Sequence, residues 1–219
     1  MDIAFIGQFS PLYGKALWLV LKLCFWGSFF SLIIGLFCAV VRYFDAPILK
    51  YITAAYIELS RNTPLMIQLF FLYFGLSRIG VKFESWTCAV IGLSFLGGSY
   101  MAESFRGGLE AIGKAQIEAG LSIGLSYPQL VRYVILPQAL AVSVPSLGAN
   151  VIFLLKETSV VSVVALADLM YVAKDLIGLY YKTNEALLML VVAYLIVLSP
   201  VSILLYIVER RVRFAGFGR

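Results

Sequence analysis

Gln116-Ile117-Glu118-Ala119-Gly120-Leu121-Ser122-Ile123-Gly124, followed ten residues after its last glycine by Val134-Ile135-Leu136-Pro137, is a polar, glycine-punctuated island in an otherwise apolar chain. Gly120 and Gly124 are four apart, which on a helix places them on one face and admits another backbone closely. Leu125 leads into Ser126-Tyr127-Pro128, which reads as a turn that starts a second short helix, with Pro128 near its first position. The segment is therefore expected to be a helix–turn–helix that projects from the rest of the chain. A partner can grip such an element and move it as a lever.

The remainder of the chain sets the environment of that lever. Of its 219 residues, 62% are hydrophobic and only 13% are charged, too few charges to cover a soluble protein of this size. Histidine is absent, which excludes a histidine metal site or general base. Cys24, Cys38 and Cys88 are odd in number and each lies in an apolar run, so they read as buried thiols and not as a disulfide framework or a zinc site. The net charge of +5 suits loops facing anionic lipid and gives no sign of nucleic-acid binding. The first apolar run has no basic stretch before it and exceeds a signal-peptide core, so it is expected to remain as a membrane span.

A membrane-spanning helix needs roughly 20 mostly apolar residues. Five candidates follow, at about 16–41, 64–79, 85–102, 139–167 and 186–207, with one loop of about 103–137 carrying Glu118. The expected fold is thus an all-α, polytopic membrane protein forming a single domain over 1–219. A helix over about 48–59 is expected to lead into the second span along the membrane surface. Pro64 fits the first turn of that span, and Thr63 is a candidate for its N-cap. Gly92, Gly97 and Gly98 in the third span allow close helix approach. The fourth span is interrupted by Pro145, Gly148 and the pair Lys156-Glu157. An odd number of spans puts the termini on opposite sides. The basic tail, Arg210, Arg211, Arg213 and Arg219, assigns the C-terminus to the cytoplasm and the N-terminus to the outside. The same rule places the loop with Glu118 in the cytoplasm.

Polar side chains inside the apolar runs are the candidate path for a solute. Gln68 lies one turn into the second span; either it binds helices together or it lines a path. Lys156 and Glu157 are adjacent and point about 100° apart on a helix, so they do not neutralise each other face to face. Two readings stand for them: a functional pair, or struts that specify packing. Asn150, Thr158 and Ser159 add neutral donors and acceptors on the same segment. Asn150 and Glu157 are two turns apart on one face. One amide and one carboxylate there favour a neutral or zwitterionic solute over a strongly cationic one.

The Glu118-Ala119-Gly120 run with Gly124 and Leu136-Pro137 resembles the EAA loop of the membrane subunits of bacterial ATP-binding-cassette (ABC) importers. Gly120 stands where that family has a second alanine and Val134 where it has isoleucine. Arg61-Asn62-Thr63-Pro64-Leu65 and the Lys156-Glu157 helix resemble the corresponding segments of the polar amino-acid branch. The resemblance implies a permease subunit whose Glu118, Ala119, Gly120, Ser122, Gly124, Leu125 and Ser126 couple to an ATPase, with Gln68, Asn150, Lys156, Glu157 and Ser159 along the substrate path. It implies two cytoplasmic ATPase subunits that hold ATP and magnesium, since this chain has no Gly-x-x-x-x-Gly-Lys-Ser/Thr run and needs no cofactor of its own. It also implies a second permease subunit, identical or paralogous, an extracytoplasmic amino-acid-binding protein, and residence in the bacterial inner membrane. Against an ion-driven secondary transporter stand the odd span count and the lack of an internal repeat. A non-transporting scaffold has no use for the lever.

Overall fold

The computed structural model of the protein describes residues 1–217, with side chains through Val212; Arg213 and Arg219 of the basic tail lie outside the described side chains. Every element among the described residues is helical. The chain runs through α1 (Ile3–Tyr43), α2 (Leu49–Arg61), α3 (Leu65–Phe70, extended by a π turn and a 3-10 turn to Ile79), α4 (Ser85–Glu110), α5 (Lys114–Ser122), α6 (Tyr127–Leu130), α7 (Leu136–Glu157), α8 (Leu169–Tyr180) and α9 (Thr183–Phe217). Among the described residues, three helices are by length and composition able to cross a membrane: Ile3–Tyr43, the continuous run Tyr127–Val164, and Thr183–Val212. Leu65–Arg78 is a shorter apolar helix.

The first helix begins well before its apolar run. Asp2 caps it by accepting the Phe5 N–H at 3.1 Å, which satisfies one of the free donors of a helix start. Pro11 removes the backbone bond that would end on the Gly7 carbonyl, and the Ser10 hydroxyl donates to that same carbonyl at 3.1 Å. The capped end is tied to the start of α9. Asp2 pairs with Lys182 at 3.2 Å, its N–H donates to Glu185, and the Tyr13 hydroxyl donates to the Ala186 carbonyl at 2.8 Å.

α4 is the axis of the bundle, and its small residues determine how closely its neighbours approach. A Cβ added at Gly97 would collide with Ser31 of α1 and Leu154 of α7, and one at Gly98 with Tyr56 of α2 and Ile34 of α1. At Gly92 the space is taken by Leu69 and Leu65 of α3, and at Gly108 by Ser143 and the Ala139 carbonyl of α7. α1 answers with its own glycine: a Cβ on Gly35 would stand 2.5 Å from the Met101 Cβ. Helix packing in an apolar solvent gains from such close backbone approach because lipid offers no hydrophobic drive between helices. At one end of the bundle Glu103 of α4 bonds Arg42 of α1 at 2.8 Å and Arg106 at 2.6 Å.

Four expectations change. α2 is not a surface helix: Tyr56 and Ser60 both donate to the Phe95 carbonyl of α4, at 2.6 and 2.9 Å, about 15 Å along α4 from its first residue. Its buried face is Thr53, Ile57 and Ser60, two hydroxyls to one aliphatic side chain, so hydropathy did not mark it. Thr63 does not cap α3; its hydroxyl donates back to the Leu59 carbonyl of α2 at 2.8 Å. α7 passes through Pro145 and Gly148 without a break and ends at Glu157, where a 3-10 turn carries it to Val164. Finally, α8 arises in what reads as a connection. Asp168 caps it through the Tyr171 and Met170 N–H groups, and Leu169, Ala173 and Leu176 bury one face.

The α1–α4 contact gives the first testable outcome. Gly35→Leu should lower the stability of the purified protein by about 3 kcal/mol, in the overpacking range. Gly14→Leu, where nothing lies within 4 Å, should be close to neutral. Thermal unfolding in detergent, followed by circular dichroism, reads the difference; equal midpoints for the two variants would contradict the packing described here.

Candidate coupling hairpin and substrate groove

The hairpin that follows α4 is built around one glycine turn. α5 ends at Ser122, and Gly124 takes φ +86°, a left-handed conformation that a side chain disfavours. Its N–H donates to the Leu121 carbonyl at 3.0 Å, and the Leu125 N–H donates to the Gly120 carbonyl at 3.1 Å. These two bonds are the Schellman closure of a helix end. Ser126 then opens α6, with its N–H and hydroxyl both donating to Gln129 Oε1 at 2.8 Å. α6 does not stop as a separate short helix. It runs through a π turn, Val131–Ile135, directly into α7. The second arm of the lever is therefore the extension of the fourth apolar helix itself.

This geometry divides the residues assigned to coupling. Glu118, Ala119, Ser122, Gly124 and Ser126 are exposed. Glu118 forms no ion pair among the described residues, and Arg132 lies over its neighbour Tyr133 instead. Gly120 is buried: a Cβ there would collide with Leu130, so this glycine seats α5 on α6 and does not face a partner. Leu125 joins the same apolar cluster with Ile112, Leu130, Ile135 and Ala139. Gly120 and Gly124 do not share a helix face, because Gly124 lies beyond the helix end. The exposed face of the hairpin adds two apolar residues that sequence reading passed over, Leu121 and Ile123, the latter 79% exposed.

The second site lies at the break between α2 and α3. Asn62-Thr63-Pro64, after the last residue of α2, is not helical, and the freed carbonyls around it are met locally. Asn62 donates to the Glu58 carbonyl at 2.8 Å, Thr63 to that of Leu59, and Gln68 Nε2 to those of Ser60 and Thr63 at 3.2 and 2.9 Å. Next to the break is a groove of about 410 Å³. Its walls are the break itself, Leu96 and Tyr100 of α4, and Phe153, Glu157 and Val160 at the end of α7. Arg61 enters from one side, its guanidinium 5.3 Å from the Tyr100 ring centre. Glu157 enters from the other. Neither forms an ion pair among the described residues.

Of the path residues read from the sequence, only Glu157 lines this groove. Gln68 sits behind the break and pins its shape, with Oε1 buried and unpartnered. Asn150 donates to Ser104 of α4 at 2.9 Å, two turns away from Glu157. Lys156 is exposed and forms no ion pair among the described residues, and Ser159 is not among the lining residues. Arg61, Asn62, Tyr100 and Phe153 also line the groove, and none of them was among the path residues read from the sequence. A charged residue beside a helix-breaking Asn-Thr-Pro inside an apolar stretch was the available signal.

A discontinuous helix with opposed charges at mid-bundle, joined to a glycine-turned hairpin, describes a solute-translocating membrane subunit. The chain belongs to the family of binding-protein-dependent transport system inner membrane components, whose sequence model matches residues 31–214. It is 36% identical over 208 residues to the probable amino-acid ABC transporter permease protein PatM of Vibrio harveyi, covering 92% of this chain and 93% of that one. It is 35% identical over 185 residues to the glutamine transport system permease protein GlnP of Escherichia coli K12, covering 84% of each. Among solved structures, an amino acid ABC transporter chain superposes with TM-score 0.89 at 33% identity, over 96% of this chain and 99% of that one. An inward-facing MetNI methionine ABC transporter chain has the same fold, with TM-score 0.78 at 22% identity over 94% of this chain and 98% of that one.

Seating of the hairpin on Gly120 is open to direct test. Gly120→Leu displaces Leu130 and should cost about 1–3 kcal/mol of local stability, whereas Ala119→Leu points outward and should cost little. Trypsin cleavage after Lys114 should speed up roughly tenfold in the first variant and stay unchanged in the second, since cleavage follows the open population. Unchanged cleavage in Gly120→Leu would remove the packing role.

Proposed function

We propose that the chain is the membrane-spanning subunit of an ATP-driven importer that carries a polar amino acid, held as a zwitterion between Arg61 and Glu157. The observation that carries this reading is a mid-bundle groove with one cation and one anion that do not neutralise each other. Two opposite charges facing a common space are costly in an apolar surround unless water or a ligand meets them. An α-amino acid offers the matching pair: its carboxylate suits the planar guanidinium, and its ammonium suits the carboxylate. The site is then neutral overall, which agrees with the preference for a neutral or zwitterionic solute and leaves a strongly basic side chain without a counter-ion.

The spans in this reading are α1, the broken pair α2–α3, α4, the run from α6 through α7, and α9. The N-terminus is outside, and the hairpin and the basic tail are in the cytoplasm. There Glu118, Ala119, Leu121, Ser122 and Ile123 form the surface for an ATPase, which holds ATP and magnesium; two ATPases serve two permease subunits. Closure of the ATPases on ATP moves the hairpins, and the spans rock to expose the groove to an extracytoplasmic binding protein. Hydrolysis and release restore the inward-facing state. This is alternating access between two packings of the same helices. The relatives named as amino-acid and glutamine permeases support the substrate class.

Reconstitution with the neighbouring ATPase and binding protein tests the assignment through ATP-dependent uptake of labelled glutamine and related amino acids. Arg61→Gln and Glu157→Gln should each lower uptake about 10- to 100-fold, the value of one charge-assisted hydrogen bond, with ATPase binding retained. Glu118→Lys should do the reverse, leaving groove binding intact while ATPase recruitment or coupling is lost. Wild-type uptake in both groove variants would refute zwitterion recognition there.

A further inference from the structure

The facing residues of α4 and α7 form three layers. Leu96 and Glu157 belong to the groove. One turn toward the hairpin, the rings of Tyr100 and Phe153 meet with centroids 5.1 Å apart and planes inclined at 50°. One further turn on, Asn150 Nδ2 donates to Ser104 Oγ at 2.9 Å, and exposed Ser146 follows on the same side. The register is imposed by the helices. Residues 96, 100 and 104 recur every four positions on α4, and 150, 153 and 157 at spacings of three and four on the antiparallel α7, so each set shares one face. Tyr100 and Phe153 line the groove, whereas Asn150 and Ser104 do not. The charged groove and the neutral polar Asn150–Ser104 layer are thus separated by a single aromatic layer.

We infer that the Tyr100–Phe153 pair is the barrier between the groove and the hairpin side of the bundle. The physical reason is desolvation. An amino acid leaving Arg61 and Glu157 must shed the charges that solvate it before reaching Asn150, and two aromatic rings with one phenolic hydroxyl offer far less in exchange. Apolar constrictions hold back polar solutes by excluding water. Arg61 fixes the layer from above, since its guanidinium over the Tyr100 face favours one position of that ring. A carboxylate that draws Arg61 away from the ring also releases Tyr100, so occupancy of the groove and opening of the barrier are linked. The desolvation of the solute and its link to Arg61 rest on the zwitterion reading of the groove; the layering does not depend on it.

The test uses the permease assembled with its ATPases in inside-out vesicles, with Cys24, Cys38 and Cys88 replaced by alanine. Val160→Cys reports on the groove and Ser146→Cys on the exposed α7 face beyond the rings. With the rings intact, a membrane-impermeant methanethiosulfonate added on the hairpin side should modify Ser146→Cys at least about tenfold faster than Val160→Cys. Adding Phe153→Ala or Tyr100→Ala should bring the two rates together, and Tyr100→Phe, which keeps the ring, should leave them apart. Equal rates with the rings intact would overturn the proposal. So would a Val160→Cys rate that neither alanine variant changes in complexes that retain their ATPases. The zwitterion reading fails separately: normal uptake in Arg61→Gln and Glu157→Gln removes it while the labelling pattern stands.

Discussion

Close backbone approach to α4 is the constraint on which the rest of the structure depends. Four glycines on this helix meet four different neighbours, α1, α2, α3 and α7, and each contact leaves no room for a Cβ. In lipid the helices gain little from burying apolar side chains against one another, so dispersion between close backbones and hydrogen bonds to carbonyls must hold the bundle. The Phe95 carbonyl shows how the two combine. It accepts from Tyr56 and Ser60 only because Gly98 and Ser99 let α2 lie against α4. With α2 docked at that height, its C-terminal end falls at mid-bundle, and the chain must break there to continue as α3.

The break turns a packing solution into a chemical one. Non-helical backbone at this depth is tolerated when its polar groups are met, and here Asn62, Thr63 and Gln68 meet them from within the same segment. The side chain left without such a duty is Arg61, which reaches the groove and rests over Tyr100. Glu157 arrives because α7 ends at that residue and turns into a 3-10 segment. Neither charge would be stable facing lipid. Lining one groove, they are the pair on which the proposed recognition of a zwitterion rests.

The hairpin and the groove are connected by one helix. From Tyr127 to Glu157 the chain is continuously helical, a distance of about 45 Å at 1.5 Å per residue. The hairpin itself is kept stiff by the Gly124 closure and by Leu130 seated on Gly120. In the proposed cycle, this continuous helix is the route by which a displacement of the exposed face of α5 reaches Phe153 and Glu157. The π turn at Val131–Ile135 is the irregular point along that rod, and π turns accommodate local adjustment of helix register.

Much of this was legible without coordinates. The apolar runs, the basic tail, the Glu118 hairpin and the close-packing role of Gly92, Gly97 and Gly98 follow from residue chemistry and spacing. These are local properties: a run of apolar residues must leave water, and a glycine in such a run invites a neighbour. Three features were decided only by tertiary structure. α2 joined the bundle because Tyr56 and Ser60 donate to the Phe95 carbonyl, 39 residues away from Tyr56 on another helix, beside buried Ile57. Gln68 and Asn150 proved to be structural partners of the break and of Ser104, and Arg61 proved to line the groove. Periodicity gives the face of a helix on which a residue lies, whereas the partner opposite that face depends on how long, non-local packing sets the heights of the helices. Placing Arg61 and Glu157 in one groove, with Tyr100 and Phe153 beneath them, required those heights, and no spacing along the chain encodes them.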